Sequence, residues 1–263
     1  MKISGIVKSV PFLNGNDLAT KARQLLRNEK LLFVEKDGNF RGMIDRTTAL
    51  QITGDKTTLT ALDIAKPPLY QTTPDDTVEH VARKMLKYNT YILPVFDGTH
   101  PIGYVGLSEV LAILILENER VAKMRIGDMM RTYPIYVGAE DTIVKLWNIM
   151  EEIQYSGVPI IRVATSRKDR FNKLVGYVSK KDLLLSGNVR KSIRAGMSRS
   201  NQPKVEKIMN RTPILLSEDD TVSTFVEKMI QHDVSRIPVV NEGYELKGIV
   251  GKMDVLNLLV EGW

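Results

Sequence analysis

One pattern occurs four times in the chain, and its most complete copy is Gly176-Tyr177-Val178-Ser179-Lys180-Lys181-Asp182. Every copy opens with a glycine followed by two apolar residues. The four glycines are Gly42, Gly103, Gly176 and Gly248. They stand 61, 73 and 72 positions apart, a spacing typical of tandem structural repeats. The chain is therefore predicted to consist of four related units.

Two further marks precede each glycine in the same order. The first is an acidic cluster with a helix behind it, because Asp and Thr accept hydrogen bonds from the first free N–H groups of a helix. These clusters are Asn16-Asp17-Leu18, Asp75-Asp76-Thr77, Glu140-Asp141-Thr142 and Asp219-Asp220-Thr221. The second mark is a short apolar run typical of a buried strand, such as Val158-Pro159-Ile160-Ile161. Each unit is predicted to fold as β-α-β-β-α.

Units of this size have helices too short to be stable alone, so two units are expected to pair sheet against sheet. The predicted fold class is α/β (α+β), with four repeats in two pairs and small sheets flanked by helices. The predicted repeats are residues 1–60, 61–120, 121–200 and 201–263. Repeat 3 includes a Ser-, Arg- and Lys-rich stretch, Arg162 to Lys173, predicted to be an extended hairpin loop, and then a linker.

Composition is that of a protein with a buried core. Of 263 residues, 43% are hydrophobic and 26% are charged, and the absence of cysteine excludes disulfides and thiolate metal sites. The longest apolar run, Val110 to Leu116, is far shorter than the roughly 20 residues that a membrane helix needs. A soluble, cytoplasmic protein without membrane contact is expected.

The repeated pattern resembles the CBS domain family, whose repeats pair into Bateman modules. The closing motif of that family is glycine, two apolar residues, serine or threonine, two free positions and aspartate. Repeat 3 satisfies it fully from Gly176 to Asp182, whereas repeat 4 keeps Gly248 and Asp254 but has Gly251 in the hydroxyl position. Four repeats in one chain resemble the γ subunits of AMP-activated kinases and their archaeal single-chain relatives.

The resemblance implies binding of adenosine-type ligands. In the family the aspartate accepts hydrogen bonds from both ribose hydroxyls, the serine or threonine hydroxyl donates to a phosphate, and a basic residue of the partner repeat neutralises phosphate charge. By position these roles fall to Asp182, Ser179 and Arg236. The residues expected to enclose the adenine are Ile135, Tyr155, Ser156 and Tyr177. Helix capping is the alternative role for the aspartate.

The other three motifs depart from the pattern of the family. Around Asp254 the hydroxyl is missing, and Gly157 stands where repeat 4 has Arg236, so this sister site is expected to bind a nucleoside at most. In repeats 1 and 2 the aspartate is replaced by Thr48 and Glu109. We expect those two sites to be empty or to hold another ligand. The expected regulatory ligand is AMP, ADP or ATP, with S-adenosylmethionine left open, and no cofactor is required.

The sequence contains no recognisable catalytic or metal-binding pattern. The histidines, His80, His100 and His232, lie in separate repeats without an acid at metal-ligand spacing, and there is no phosphate-binding glycine loop or nucleophile elbow. The chain is therefore predicted not to be an enzyme. We expect a regulatory protein that binds an adenine nucleotide and acts on a protein partner or forms a homodimer.

The net charge of +6 is unevenly distributed. Residues 162–207 carry thirteen lysines and arginines against three acids, which leaves the rest of the chain acidic. Such density neutralises phosphates, so the alternative function is binding of structured RNA or a ribosomal subunit, regulated by the nucleotide. An ordinary solvated surface would explain the same charge. The candidate contacts are Arg167, Lys168, Arg170, Lys173, Arg190, Lys191, Arg194 and Arg199.

Overall fold

The computed structural model describes residues 1–51, 58–165, 170–186 and 202–262. The chain divides into two compact units. The first unit contains residues 1–106 and 183–197, and the second contains residues 107–182 and 198–263. Most of repeats 1 and 2 therefore lies in the first unit, and most of repeats 3 and 4 lies in the second.

The first unit begins with a 3₁₀ turn, Ile3–Ile6, and continues with short strands and helices. The strands are β1 (Phe12–Asn14), β2 (Leu31–Lys36), β3 (Asn39–Asp45), β4 (Ile92–Asp97) and β5 (His100–Gly106). The helices are α1 (Ala19–Leu25), α2 (Arg46–Gln51), α3 (Ala61–Ile64) and α4 (Val78–Lys87). Repeat 1 thus follows the predicted order β1-α1-β2-β3-α2.

The second unit repeats this organisation with longer elements. Its strands are β6 (Val137–Gly138), β7 (Gly157–Thr165), β8 (Arg170–Ser179), β9 (Arg236–Val240) and β10 (Leu246–Gly251). Its helices are α5 (Leu107–Glu117), α6 (Glu119–Ala122), α7 (Ile126–Met129), α8 (Ile143–Glu152), α10 (Val222–Gln231) and α11 (Lys252–Val260). Helix α9 (Lys180–Ser186) begins in this unit, and a 3₁₀ turn occupies Val205–Lys207.

All four repeats share one sheet pattern. A leading segment pairs in parallel with the strand that follows the first long helix, because parallel neighbours need such a crossover. The four parallel contacts are Phe12–Phe33, Thr72–Val95, Val137–Ile160 and Leu216–Val239. An antiparallel hairpin then completes each small sheet. The predicted α+β fold of small sheets flanked by helices is confirmed.

A helix starts directly after the predicted cluster in all four repeats, and a threonine caps it in three of them. The hydroxyls of Thr77, Thr142 and Thr221 each accept a hydrogen bond from the backbone N–H three residues later, at 3.2 Å. In repeat 1, α1 has Leu18 in the capping position and no side-chain cap. Asp17 accepts from the Asn14 backbone N–H (3.1 Å) and closes the turn before the helix, as the equivalent aspartates do in the other repeats.

The repeats of each pair exchange their leading segments. In the first unit Lys8 of repeat 1 pairs with Tyr104 of repeat 2, and Lys66 of repeat 2 pairs with Met43 of repeat 1. A Cβ atom at Gly103 would lie 2.3 Å from the Lys8 carbonyl oxygen. The glycine is needed because the crossing backbone passes where a side chain would begin.

The second unit has the same exchange. Arg131 of repeat 3 pairs with Ile249 of repeat 4, and Asn210 of repeat 4 pairs with Tyr177 of repeat 3. A Cβ atom at Gly248 would lie 2.9 Å from the Arg131 carbonyl oxygen. The recurring glycines therefore mark the places where one repeat crosses the other.

We expect Gly103→Ala to lower the free energy of unfolding of the first unit by roughly 1–3 kcal/mol, the range for overpacking a filled site. The added methyl would meet the Lys8 carbonyl oxygen at 2.3 Å and a Val7 methyl at 2.8 Å. Denaturant unfolding measures the change. Gly5→Ala is the matched control, because nothing lies within 4 Å of its Cβ position. Equal stability of the two variants would contradict this account of the crossing.

The prediction of an extended loop between Arg162 and Lys173 is wrong in its main part. These two residues are cross-strand partners, and the ladder continues outward until Thr165 pairs with Arg170. A polar composition does not prevent the two strands of a hairpin from extending beyond the sheet, since their backbone groups hydrogen-bond to one another. Residues 166–169 lie outside the described residues.

Candidate functional site

Asp182 stands where a strand of repeat 3 turns into a helix. β8 ends at Ser179, and Asp182 is the third residue of α9. The Asp182 Oδ2 atom accepts hydrogen bonds from the Ser179 backbone N–H (2.8 Å) and from the Ser179 hydroxyl (2.7 Å). The Ser179 oxygen in turn faces the Asp182 backbone N–H at 3.3 Å. This is a capping box, so the capping role considered for Asp182 is confirmed.

The cap leaves the second carboxylate oxygen of Asp182 unused. An ionised carboxylate has about four lone-pair positions, two on each oxygen. Both bonds from Ser179 fall on Oδ2, and no other hydrogen bond to this carboxylate is found within the described residues. One oxygen is thus fixed by the fold, and the other offers two acceptor positions to a ligand.

Arg236 of repeat 4 reaches the end of the repeat 3 sheet. Its Nη1 atom donates to the Ser156 hydroxyl oxygen at 3.3 Å, and its guanidinium carbon lies 3.9 Å from the centre of the Tyr155 ring. The negative face of the ring holds the cation in this orientation. The Ser156 carbonyl also accepts from the Lys180 backbone N–H (2.8 Å), so this loop adjoins the start of the Asp182 helix.

Tyr177 fills the space that a missing side chain leaves. The Tyr177 ring carbon Cε1 lies 2.5 Å from the position that a Cβ atom would take at Gly157. Gly157 pairs with Ser179 in the hairpin, as Arg236 pairs with Gly251 in repeat 4. Arg236 and Gly157 are therefore equivalent positions. Repeat 4 has the arginine there, and in repeat 3 the Tyr177 ring occupies the space beside the glycine. Of the predicted adenine contacts, Tyr155 and Ser156 touch Arg236, and Tyr177 lies against Gly157 at the start of β7.

Asp254 has different partners from Asp182. Its Oδ2 atom accepts from the Gly251 backbone N–H at 2.8 Å, whereas Oδ1 accepts from Nε (2.8 Å) and Nη2 (2.6 Å) of Arg131. The Asp254 side chain is only 15% exposed, and that of Arg131 is 59% exposed. Arg131 was not among the predicted site residues. The signal that could have revealed it is the shared segment before each crossing, which has Arg131 in repeat 3 and Asn210 in repeat 4.

Ile135 lies in the segment that crosses between the two repeats. The segment passes from Arg131, which pairs with Ile249 of repeat 4, to Val137, which pairs with Ile160 of repeat 3. Its side chain is 39% exposed, which leaves it accessible to a flat apolar ligand. As an apolar side chain, Ile135 forms no hydrogen bond with Asp182.

In the motif of repeat 1 the aspartate stands before the helix rather than in its first turn. Asp45 stands in the hydroxyl position and accepts a hydrogen bond from the Thr48 backbone N–H at 2.7 Å. Thr48, in the position of the family aspartate, is 9% exposed. Its hydroxyl cannot act as an acceptor-only group, so this motif lacks the ribose acceptor of repeat 3.

Part of the basic segment is neutralised within the second unit. Arg162 forms an ion pair with Glu206 at 2.5 Å, and Lys204 forms one with Glu140. The hydrogen bond and positive charge of Lys204 lower the pKa of the Glu140 carboxyl, and Glu140 raises the pKa of Lys204 in return. Among the candidate polyanion contacts, Lys173 is exposed on β8. The others, Arg167, Lys168, Arg190, Lys191, Arg194, Arg199 and the side chain of Arg170, lie outside the described residues.

A cavity of about 330 Å³ lies in the second unit beside the middle of β8. It is lined by Lys173, Leu174, Val175, Gly176, Arg211, Pro213, Leu215 and Tyr244. Two cations and no carboxylate contribute to this lining, so the cavity favours an anion.

Residues 1–51, 58–165, 170–186 and 202–262 contain no group of three or more His, Cys, Asp or Glu side chains arranged to hold a metal ion. In the same part of the chain, no helix has the length and apolar character needed to cross a membrane.

Comparison with protein families identifies three of the repeats directly. The CBS domain family matches residues 61–116, 126–186 and 205–261, more than half of the chain. The chain therefore belongs to the CBS domain family. Repeat 1 lies outside these matches but has the same order of strands and helices.

Two solved structures resemble this chain over almost its whole length. Protein MJ1225 of Methanocaldococcus jannaschii, described as a candidate archaeal homologue of γ-AMPK, superposes on 98% of this chain and 99% of its own with a TM-score of 0.78. A conserved protein of Pyrococcus horikoshii superposes on 99% of this chain and 100% of its own with a TM-score of 0.64. Both are 18% identical to this chain, so the likeness shows the fold.

Curated relatives share shorter regions with this chain. Inosine-5'-monophosphate dehydrogenase of Methanocaldococcus jannaschii is 28% identical over 122 residues, which are 46% of this chain and 21% of that enzyme. MJ1225 is 34% identical over 86 residues, 33% of this chain and 28% of its own length. The chain spans less than half the length of the first curated relatives that it matches.

Proposed function

We propose that this chain is a non-enzymatic regulatory protein. It binds an adenine nucleotide (AMP, ADP or ATP) between repeats 3 and 4 and transmits occupancy to a protein partner. Membership of the CBS family supports this class of ligand. The single observation that carries the proposal is the Asp182 carboxylate, anchored through Oδ2 by Ser179 while Oδ1 keeps two acceptor positions.

The open oxygen of Asp182 suits the two neighbouring hydroxyls of a ribose. Both hydroxyls donate, and an ionised carboxylate is a pure acceptor, so a single side chain serves both. Burial of the rest of the carboxylate against Ser179 fixes its direction before the ligand arrives, which reduces the entropy lost on binding.

Arg236 is the proposed phosphate ligand. Its guanidinium is oriented by the Tyr155 ring and by Ser156, and Arg offers a planar set of donors that matches phosphate oxygens. The Ser179 hydroxyl would rotate to donate to the phosphate, while the Ser179 backbone N–H keeps Oδ2 of Asp182 in place. Ile135 and Tyr177 would contribute apolar walls for the adenine.

Isothermal titration with AMP tests the proposal. We expect saturable binding with one tight site for each chain, and adenosine should bind more weakly because it lacks the phosphate. Repeats 1 and 2 should add no tight site, since Thr48 and Glu109 replace the aspartate. Absence of saturable binding by AMP, ADP and ATP would refute the proposed function.

A second candidate function is polyanion binding by the basic segment, residues 162–207. The observation that favours it is the cavity beside β8, to which Lys173 and Arg211 contribute and no acid does. Structured RNA is the proposed partner, since neutralising a phosphate backbone needs cation density rather than base recognition.

Reversal of three charges between positions 167 and 170 of the sequence tests the second candidate. We expect Arg167→Glu, Lys168→Glu and Arg170→Glu together to flatten the log–log salt dependence of RNA binding by roughly three units, one for each lost phosphate contact. Nucleotide binding should stay unchanged. The matched control reverses three exposed lysines elsewhere, Lys21, Lys87 and Lys123. If the wild-type chain binds structured RNA no better than heparin, the charge is only a solvated surface.

A further inference from the structure

The two crossing segments of the second unit carry different side chains at the same place. Arg131 pairs with Ile249, and Asn210 pairs with Tyr177, and both partners directly follow the motif glycine of their repeat. Arg131 and Asn210 are therefore equivalent, and each passes the closing motif of the other repeat. Only the arginine engages the aspartate of that motif.

Arg131 covers the aspartate that it passes. Its Nε and Nη2 atoms both donate to Oδ1 of Asp254, at 2.8 and 2.6 Å, and the Gly251 backbone N–H donates to Oδ2. Three of the roughly four acceptor positions of this carboxylate are therefore in use. The one that remains cannot accept from two ribose hydroxyls.

Asn210 turns away from the aspartate that it passes. Its side-chain oxygen accepts from the backbone N–H of Thr212 at 3.0 Å and faces the Thr212 hydroxyl at 3.3 Å. This local turn is a common use of asparagine and keeps the side chain on its own segment. Asp182 consequently keeps Oδ1 uncovered.

From this difference we infer that Arg131 is a specificity-determining residue that closes the Asp254 motif to ribonucleosides. The inference rests on the proposed function of Asp182 as a ribose acceptor and extends it to the number of ligands bound. A nucleoside at Asp254 must first displace a charge-assisted pair whose carboxylate is only 15% exposed. The repeat 3–4 pair then binds one nucleoside rather than two.

Titration with adenosine separates the two motifs, because this neutral ligand offers ribose hydroxyls without a phosphate. We expect one adenosine for each wild-type chain and two for Arg131→Asn, which copies the residue of the other segment. Adding Asp254→Asn to that variant should return the number to one. Arg125→Asn is the matched control, since Arg125 is 58% exposed and paired with Asp219 in the same unit. It should behave as wild type.

The possible stoichiometries distinguish this inference from the proposed function. One site in both wild type and Arg131→Asn, or two in wild type, overturns the inference and leaves adenosine binding standing. No site in wild type but one in Arg131→Asn supports the inference and overturns Asp182 as the acceptor. No site in either protein overturns both. 2′,3′-Dideoxyadenosine lacks both ribose hydroxyls and should not bind at the site that Arg131→Asn gains.

The reverse substitution tests the same inference should Arg131→Asn fold poorly. Asn210→Arg places a guanidinium beside Asp182, where it competes with the ribose for Oδ1. We expect adenosine binding at Asp182 to weaken by roughly 10- to 100-fold, the scale of one charge-assisted hydrogen bond. Asn210→Gln, which extends the side chain without adding charge, is the control. Unchanged affinity in a folded Asn210→Arg protein overturns the inference.

Discussion

Asp182→Ala is expected to weaken AMP binding by roughly 2–4 kcal/mol, which is about 30- to 700-fold in the dissociation constant. The carboxylate accepts two charge-assisted bonds from the ribose in the proposed complex, and alanine accepts none. Isothermal titration measures the change. Asp182→Asn, which still has an oxygen to receive the Ser179 cap, should also lose most of the affinity because its amide nitrogen cannot accept.

A matched control separates the loss of the ligand from the loss of the cap. Asp141 also closes a turn before a helix in the second unit, where its Oδ2 atom accepts from the Gly138 backbone N–H at 2.9 Å. Asp141→Ala should destabilise the unit by a similar amount and leave AMP binding intact. Equal AMP affinity in Asp182→Ala and Asp141→Ala would remove Asp182 from the site.

Arg236→Ala is expected to weaken AMP binding by roughly 1.5–3 kcal/mol, about 10- to 150-fold, and to change adenosine binding by less than about two-fold. The reason is that a guanidinium hydrogen-bonded to phosphate contributes only when the ligand carries one. Parallel titrations with the two ligands measure this difference on one protein.

Arg211→Ala is the control for the overall charge of the unit. Arg211 belongs to the same unit, but it lines the cavity beside β8 and donates to the Glu206 carbonyl at 3.2 Å. It should affect neither ligand. An equal loss of AMP and adenosine binding in Arg236→Ala would mean that Arg236 supports the adenine pocket rather than the phosphate.

The fold could be predicted because its signals are local. A threonine three residues before a free N–H, as at Thr77 and Thr221, specifies a helix start whatever surrounds it. The glycine pattern was equally visible, although its cause was not. Gly103 and Gly248 are required by a crossing backbone from the other repeat, and that backbone comes from a distant part of the chain.

The candidate site could be predicted only in part, because half of it depends on which segments cross. Arg131 and Asp254 are 123 positions apart, and only the exchange of leading segments joins them. The capping of Asp182 by Ser179 was foreseeable from their spacing of three residues. The family pattern pointed to Arg236, Tyr155 and Ser156 as site residues, but it did not predict that Arg236 contacts the other two.

The hairpin of repeat 3 shows a different limit. Its polar composition indicated a loop, yet β7 and β8 continue their pairing to Thr165 and Arg170. In a solvated two-stranded ladder both faces tolerate polar side chains, so the alternation that normally reveals a strand is absent. Composition alone therefore misjudged the length of these strands.

Phosphorus NMR of the intact chain titrated with AMP, and then with ATP, tests the central claim most directly. We expect the AMP phosphate resonance to shift and saturate at one equivalent for each chain, and the ATP resonances to remain those of ATP during prolonged incubation. Asp182→Ala should remove the shift. An AMP resonance that never moves would contradict nucleotide binding, and steady appearance of ADP, AMP or free phosphate with the wild-type chain but not with Asp182→Ala would contradict a purely regulatory role.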